Sequence, residues 1–156
     1  MTDRSTPLRV LAILIGILLM DRAKGREPEP ISAWTSCLPS DGMQLNLRFP
    51  AFDRDGQLEI SLWGAALRPS RLPHRVDVEL APIGQMPGSL GVGQARFCAP
   101  GRPGECVPVA ATIILTSIGL TSGAMVQGRI TSLGTPSRQF TPLVFSGQVE
   151  ARAVCG

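Results

Sequence analysis

The clearest alternation of apolar and polar positions along the chain lies in its second half, from Val107 to Thr116. Apolar side chains recur there at every second residue, and the positions between them are largely apolar as well. A period of two indicates a β-strand, because successive side chains of a strand point to opposite faces. Since both faces are apolar, we expect this strand to be largely covered and to lie at the centre of the fold.

Six further stretches alternate in the same way and predict strands of a half-buried sheet. They are residues 43–49, 57–62, 75–80, 93–98, 125–132 and 143–155. Many of the 17 glycines and 14 prolines lie between these stretches and indicate turns, and no segment after residue 25 has a helical period. About seven strands with turn-rich connections predict an all-β fold, either an antiparallel β-sandwich or a partly closed barrel.

The N-terminal residues 1–25 have a different character. Arg4 and Arg9 lead into an uninterrupted apolar run of eleven residues that ends at Met20. As a helix this run would be about 16 Å long, against a hydrocarbon core of about 30 Å. A short apolar run after basic residues is typical of a secretory signal peptide. We therefore predict an N-terminal hydrophobic signal helix and export to the periplasm or the extracellular space. The alternative is an uncleaved membrane anchor formed by residues 8–20.

Two further regions follow the signal segment. Residues 26–36 contain two prolines and show no period, so they are predicted to be a linker. Residues 37–156 hold all the alternating stretches and are predicted to form a single disulfide-stapled β-sandwich domain. If the protein is exported, its four cysteines are expected to form disulfides, because an even number of cysteines in a small secreted domain usually does so.

The spacing of the cysteines favours one pairing. Cys98 and Cys106 flank a short loop rich in proline and glycine, which leaves Cys37 to pair with Cys155. Metal ligation is the competing interpretation, but the sequence has no C-x-x-C motif and only one histidine. We therefore expect two disulfides, no metal centre and no cofactor.

The net charge of +3 gives no indication of nucleic-acid binding. Residues 1–25 carry four basic and two acidic side chains, so the remainder of the chain has a net charge of only +1. A nearly neutral body with scattered arginines has no electrostatic footprint for a polyanionic nucleic acid.

Two groups of residues are candidates for ligand binding. Arg68, Arg71, His74 and Arg75 form a cationic group on one proline-containing segment, which is able to hold a carboxylate, phosphate or sulfate. The simpler interpretation is a solvated loop. Asp53 and Asp55 begin a D-x-D-G sequence like the start of a calcium loop. However, the position of the usual bidentate acid is Gly64, so a hairpin turn explains this sequence equally well.

Two classes of function remain open. The scarcity of histidine, lysine and tyrosine favours an exported, non-enzymatic protein that binds a partner protein or an envelope component. The alternative is a secreted or periplasmic hydrolase with a site assembled around His74 and Asp77. Trp63 is an aromatic residue that either stacks on a sugar ring from the outside of its strand or lies beneath the following loop.

Overall fold

A computed structural model describes residues 27–37, 42–50, 56–80, 91–99, 105–134 and 141–152, and these are the described residues below. Strands make up 67% of them, and none of them lies in an α-helix. The predicted all-β class is confirmed. The predicted signal helix lies outside the described residues.

Nine strands follow one another along the described part of the chain. They are β1 (Glu29–Pro30), β2 (Ser32–Cys37), β3 (Met43–Phe49), β4 (Gln57–Trp63), β5 (His74–Val78), β6 (Gly93–Cys98), β7 (Cys106–Ser117), β8 (Met125–Gly134) and β9 (Leu143–Ala151). A 3₁₀ turn, Gly64–Leu67, follows β4. Strands β3 to β9 correspond to the seven alternating stretches of the sequence.

The segment 26–36 was predicted to be a linker, and that prediction is wrong for its described part, which supplies β1 and most of β2. Its inward side chains, Ala33 and Thr35, are small, whereas the large apolar side chain, Trp34, points outward. A pattern search that expects large apolar groups inside and polar groups outside therefore misses this strand. Strand β2 is recognisable only through its neighbours, since it lies between β3 and β9.

The predicted antiparallel arrangement is corrected to a mixed sheet. Both β1 and β2 run parallel to β9, whereas every other pairing is antiparallel among the described strands. The pairings link seven strands into a closed ring in the order β2, β3, β4, β6, β7, β8, β9 and back to β2. Strands β1 and β5 lie outside this ring, on β9 and β7 respectively.

Strand β7 is the longest, at 12 residues, and pairs with three other strands. Its first part pairs with β6, and the part after Val109 pairs with β5 on one side and β8 on the other. The β7–β8 register shifts twice, next to Thr112 and next to Leu115. Because such irregularities bend and twist a strand, they allow β7 to turn a corner of the fold.

The core lies inside the ring and follows the period of two. The largest side chains with almost no exposure come from β3, β4, β7, β8 and β9: Phe49, Phe145, Leu45, Leu47, Leu58, Ile60, Leu62, Ile113, Leu115, Ile130, Val126 and Val149. Gly128 of β8 leaves room for the ring of Phe145, its direct partner on β9, since an added Cβ would lie 2.9 Å from Phe145 Cζ. Core packing thus explains a glycine in the middle of a strand.

The predicted disulfide between Cys98 and Cys106 is present. The two residues lie directly opposite each other at the ends of β6 and β7, with their Cα atoms 4.0 Å apart. The next pair outward is hydrogen-bonded, from Ala99 N–H to the Glu105 carbonyl at 3.3 Å. Cys37 is also disulfide-bonded. Its predicted partner, Cys155, lies outside the described residues, so that pairing stays a prediction.

Candidate functional site

The predicted cationic group is spread over a loop and an edge strand. Arg68 and Arg71 are exposed on the loop before β5, and within the described chain neither side chain has a hydrogen bond or ion pair. Arg75 is exposed on β5 and bound to Asp77, with Nε 2.9 Å from Oδ2. His74 is half-buried at the start of β5. The structure therefore does not gather these four side chains around one point.

His74 and Asp77, the centre of the hydrolase alternative, lie on opposite faces of β5. His74 shares the inward face with Val76 and Val78, whereas Asp77 points outward. Asp77 accepts hydrogen bonds from Arg75 and from the Thr112 hydroxyl, the latter at 2.8 Å, and these interactions hold the pKa of Asp77 below its usual value. An acid that orients a catalytic histidine must contact the imidazole, and this arrangement does not provide that contact.

The calcium candidates Asp53 and Asp55 lie outside the described residues. Within the described ranges, no group of three or more histidine, cysteine, aspartate or glutamate side chains is placed to hold a metal ion.

Trp63 is buried rather than presented to a ligand. Its indole N–H donates to the Gly91 carbonyl at 3.1 Å, and its backbone N–H donates to the Val92 carbonyl at 3.0 Å. The indole is therefore held by the segment that leads into β6, which leaves Trp63 unsuited to stack on a sugar.

A different surface carries the most connected polar side chains of the described structure. We call it the polar face, and it comprises the outward side chains of β2, β3, β4 and β6 together with Glu150 and Arg152 at the end of β9. Its members are Trp34, Ser36, Gln44, Asn46, Arg48, Gln57, Glu59, Ser61, Gln94, Arg96, Glu150 and Arg152.

Asn46 is the fixed centre of one half of the polar face. Its side-chain carbonyl accepts hydrogen bonds from Gln44 at 2.7 Å and from the Ser61 hydroxyl at 2.8 Å. Its amide donates to Ser36 Oγ at 2.8 Å. These partners come from three adjacent strands, and Asn46 is only 8% exposed although it points outward. Because a buried amide is costly unless it is satisfied, this network favours a single side-chain arrangement.

Glu59 is the centre of the other half. Arg48 and Arg96, its neighbours across β3 and β6, both bind its carboxylate, with the closest nitrogen–oxygen distances at 3.1 and 2.6 Å. Gln57 donates a further hydrogen bond at 2.6 Å. Burial alone would raise the pKa of Glu59, but the hydrogen bonds and charges of Arg96 and Arg48 outweigh burial and lower the pKa below its ordinary value. Glu59 therefore anchors two guanidinium groups on the surface.

Trp34 extends this arrangement towards β9. The guanidinium carbon of Arg48 lies 5.0 Å from the centre of the Trp34 ring, and that of Arg152 lies 5.1 Å from it. Both distances are within the range of cation–π attraction. Arg152, Trp34, Arg48, Glu59 and Arg96 thus form one line across the sheet, which we call the guanidinium row.

Sequence reasoning missed the guanidinium row. Glu59 is 37 residues from Arg96 and 11 from Arg48, so no local motif joins them. The available signal was weaker: Arg48, Glu59 and Arg96 each fall on the outward positions of a strand that the period of two had predicted. Strand order and register were needed to bring them together.

Fold and surface together define an all-β domain with a mixed, ring-closed sheet and one extended polar face built of mutually bound side chains. No protein-family model matches the chain, and neither the curated proteins nor the solved structures provide a match. In the described part of the chain, no helix is long and apolar enough to cross a membrane.

Proposed function

We propose that this protein is exported and acts by binding rather than by catalysis, and that the polar face is its binding surface. The observation that carries the proposal is the guanidinium row, which holds three arginines in line, one on β3, one on β6 and one directly after β9. Arginine presents five N–H donors in a planar fork, so a guanidinium already bound to Glu59 or Trp34 still has donors for a further acceptor.

The chemistry of the row favours an envelope component that presents carboxylate or phosphate groups. The row and the adjacent Glu150 contain three arginines and two glutamates, which leaves a surplus of one positive charge. Glu59 is only 13% exposed at its side chain, whereas Arg48 and Arg96 are 44% and 53% exposed. Around Glu59 the positive groups therefore lie outermost, where they meet an anion first.

The polar face also suits a hydrophilic ligand better than the interior of a membrane. The exposed large apolar side chains of the described residues are Leu72, Leu80, Val107, Met125 and Val144, and none of them belongs to the polar face. Amide and hydroxyl groups beside the arginines match the hydroxyl groups of a polysaccharide in hydrogen-bonding capacity.

Export is part of this proposal and is supported by two independent features. The apolar run after Arg4 and Arg9 is typical of a signal peptide. The Cys98–Cys106 disulfide suits an oxidising compartment such as the periplasm or the extracellular space. N-terminal sequencing of exported protein should begin near Arg26, and exported protein that still starts at Met1 would support the membrane-anchored alternative through residues 8–20.

A binding experiment tests the ligand class. Purified protein is titrated with a polyuronate and with vesicles of anionic phospholipid, and neutral dextran and zwitterionic vesicles serve as reference probes. We expect binding to an anionic probe that weakens as salt is added, because salt screens charges on the surface. Binding to the polyuronate alone indicates a polysaccharide, and binding to the vesicles alone indicates a lipid headgroup.

Matched variants show whether the polar face is responsible. The double substitution R96S/R152S removes two arginines of the row but leaves Arg48 to hold Glu59 and Trp34, so the fold should persist. We expect it to weaken binding at least about tenfold, a difference of about 1.4 kcal/mol. The control R129S removes an exposed arginine of β8, away from the polar face, and should bind as the unmodified protein does. No binding to either anionic probe, or equal weakening by R129S, would refute the proposal.

A further inference from the structure

Strand β5 is an edge of the sheet. His74–Val78 pairs with β7 on one side, and no described strand pairs with it on the other. The backbone N–H and C=O groups on such an edge are a template for the addition of another strand. Native proteins cover or pair such an edge, or protect it by keeping the strand short and charged.

Exposed apolar side chains flank both ends of this strand. Leu72 and Leu80 are 45% and 60% exposed, and they are two of the few large apolar side chains that the described residues leave on the surface. Both lie four residues from Val76, the middle of β5, and at even spacing from it. They therefore lie just beyond the two ends of the strand, at equal distances along the chain from its middle.

The charges of β5 are arranged symmetrically about the same residue. Arg75 and Asp77 lie on either side of Val76, both point outward, and both are exposed. When an antiparallel copy of the strand is centred on Val76, Arg75 of each copy lies opposite Asp77 of the other. The strand is therefore complementary in charge to itself.

We propose that a second copy of this chain pairs with β5 through a two-fold axis at Val76, which continues the sheet from one protomer to the next. Neighbouring strands are about 4.8 Å apart, so Arg75 of one copy reaches Asp77 of the other in addition to its own. In the same register the segment with Leu72 in one copy lies beside the segment with Leu80 in the other, so these exposed apolar side chains can cover each other. A two-fold interface must be self-complementary in this way.

The two symmetric registers next to this one are disfavoured by the charges at their centres. When two antiparallel copies of β5 pair with their inward faces on the same side of the sheet, the two-fold axis must pass through a residue rather than between two residues. The nearest alternatives to Val76 are therefore Arg75 and Asp77. Centring the axis on Arg75 sets two arginines opposite each other, and centring it on Asp77 sets two aspartates opposite each other. Like charges directly opposite in a sheet are destabilising, so Val76 is the favoured centre.

The contact is small, because β5 has only 5 residues. Stable interfaces bury about 1,200 Å² or more, and one short pair of strands with two flanking leucines from each copy buries less than that. The dimer should therefore be weak and should form only as the protein is concentrated.

Sedimentation equilibrium of the full chain over a range of concentrations tests the proposal. We expect the apparent mass to rise from that of a monomer towards that of a dimer. R75D alone and D77R alone place like charges across the axis and should each weaken the dimer at least about tenfold. The charge exchange R75D/D77R restores opposite charges and should return the affinity to within about threefold of the original.

Two further variants separate pairing through β5 from other association. R129D changes an exposed charge on β8 and should leave the dimer intact, whereas L72S/L80S keeps the charges and should weaken it. All these positions are exposed, so each variant should fold, which thermal unfolding checks. The proposal would be overturned by a protein that stays monomeric, by failure of the charge exchange to restore the dimer, or by equal loss in R129D.

Discussion

The ring of Phe49 meets the ring of Phe145 edge to face, with the ring centres 5.3 Å apart and the ring planes at 87°. Phe49 belongs to β3 and Phe145 to β9, and these strands are not hydrogen-bonded to each other because β2 lies between them. The contact therefore crosses the interior of the ring of strands and joins two sides of the core.

We expect this contact to be measurable as a coupling between the two positions. F49L and F145L should each lower the free energy of unfolding, and the double variant should lose about 0.5–1.5 kcal/mol less than the sum of the two losses. Denaturant unfolding of the four proteins gives the coupling energy. The control pair F97L and F145L should be additive, because Phe97 lies on β6 and is only partly buried. Additive losses for F49L and F145L would contradict the interpretation.

Stability should depend on pH through Glu59. Arg96 and Arg48 lower the pKa of Glu59 against the opposing effect of burial. The ionised carboxylate therefore stabilises the fold above its unfolded value of about 4.3, and this contribution is lost as the pH falls through the lower pKa of the folded protein. E59Q should cost about 1–2 kcal/mol at neutral pH, and the deficit should shrink in acid.

Thermal or denaturant unfolding of both proteins from neutral pH down to about pH 3 measures this difference. E150Q is the matched control, because Glu150 pairs only with Arg152 among the described residues and is 65% exposed at its side chain. Exposed pairs of this kind contribute about 0–1 kcal/mol. A deficit of E59Q that stays constant across the pH range would show that the loss comes from packing rather than from ionisation.

The buried hydroxyl of Thr35 should lower the free energy of unfolding. Thr35 is 1% exposed on the inward face of β2, and its Oγ1 has no hydrogen-bond partner among the described residues. T35V has nearly the same shape and removes the unsatisfied group, so it should stabilise the protein by about 1 kcal/mol. T112V is the control, because the Thr112 hydroxyl does donate a hydrogen bond, to Asp77. Removal of this hydroxyl should leave the stability unchanged or lower it. Chemical denaturation compares the two, and a less stable T35V would contradict this account.

The second disulfide should contribute more to stability than the first. Cys98 and Cys106 are 8 residues apart, so their bridge lowers the entropy of the unfolded chain only modestly. In the chain-entropy model it stabilises the fold by about 2.5 kcal/mol. A bridge from Cys37 to Cys155 closes a loop of more than a hundred residues and should contribute about 4–5 kcal/mol.

Peptide mapping under non-reducing conditions identifies the pairs, and unfolding of C98A/C106A and C37A/C155A compares their contributions. A Cys37–Cys155 bridge would also join the end of β2 to the segment that follows β9. A Cys37–Cys98 peptide, or a smaller loss for C37A/C155A than for C98A/C106A, would contradict the prediction.

Local pattern was sufficient wherever a strand has large apolar residues on one side and polar residues on the other. Leu45, Leu47 and Phe49 of β3 and Leu58, Ile60 and Leu62 of β4 alternate with polar residues, and both strands lie where the sequence predicted them. The Cys98–Cys106 bridge was also predictable from local sequence. A short loop between two antiparallel strands brings the residues at its two ends opposite each other. The opposite orientations of His74 and Asp77 also follow from their odd separation along one strand.

The tertiary structure decided what depends on strands that are distant in sequence. The mixed sheet and the closed ring arise because β9 accepts β1 and β2 as parallel neighbours, and no local signal specifies a parallel partner more than a hundred residues away. Strand β2 is held in the sheet by its pairing with β3 and β9, because its own sequence has no strong hydrophobic pattern. The guanidinium row exists only in the register that sets Arg48 and Arg96 on either side of Glu59. Periodicity determines which face of a strand a residue occupies, whereas long-range pairing determines which residues it meets there.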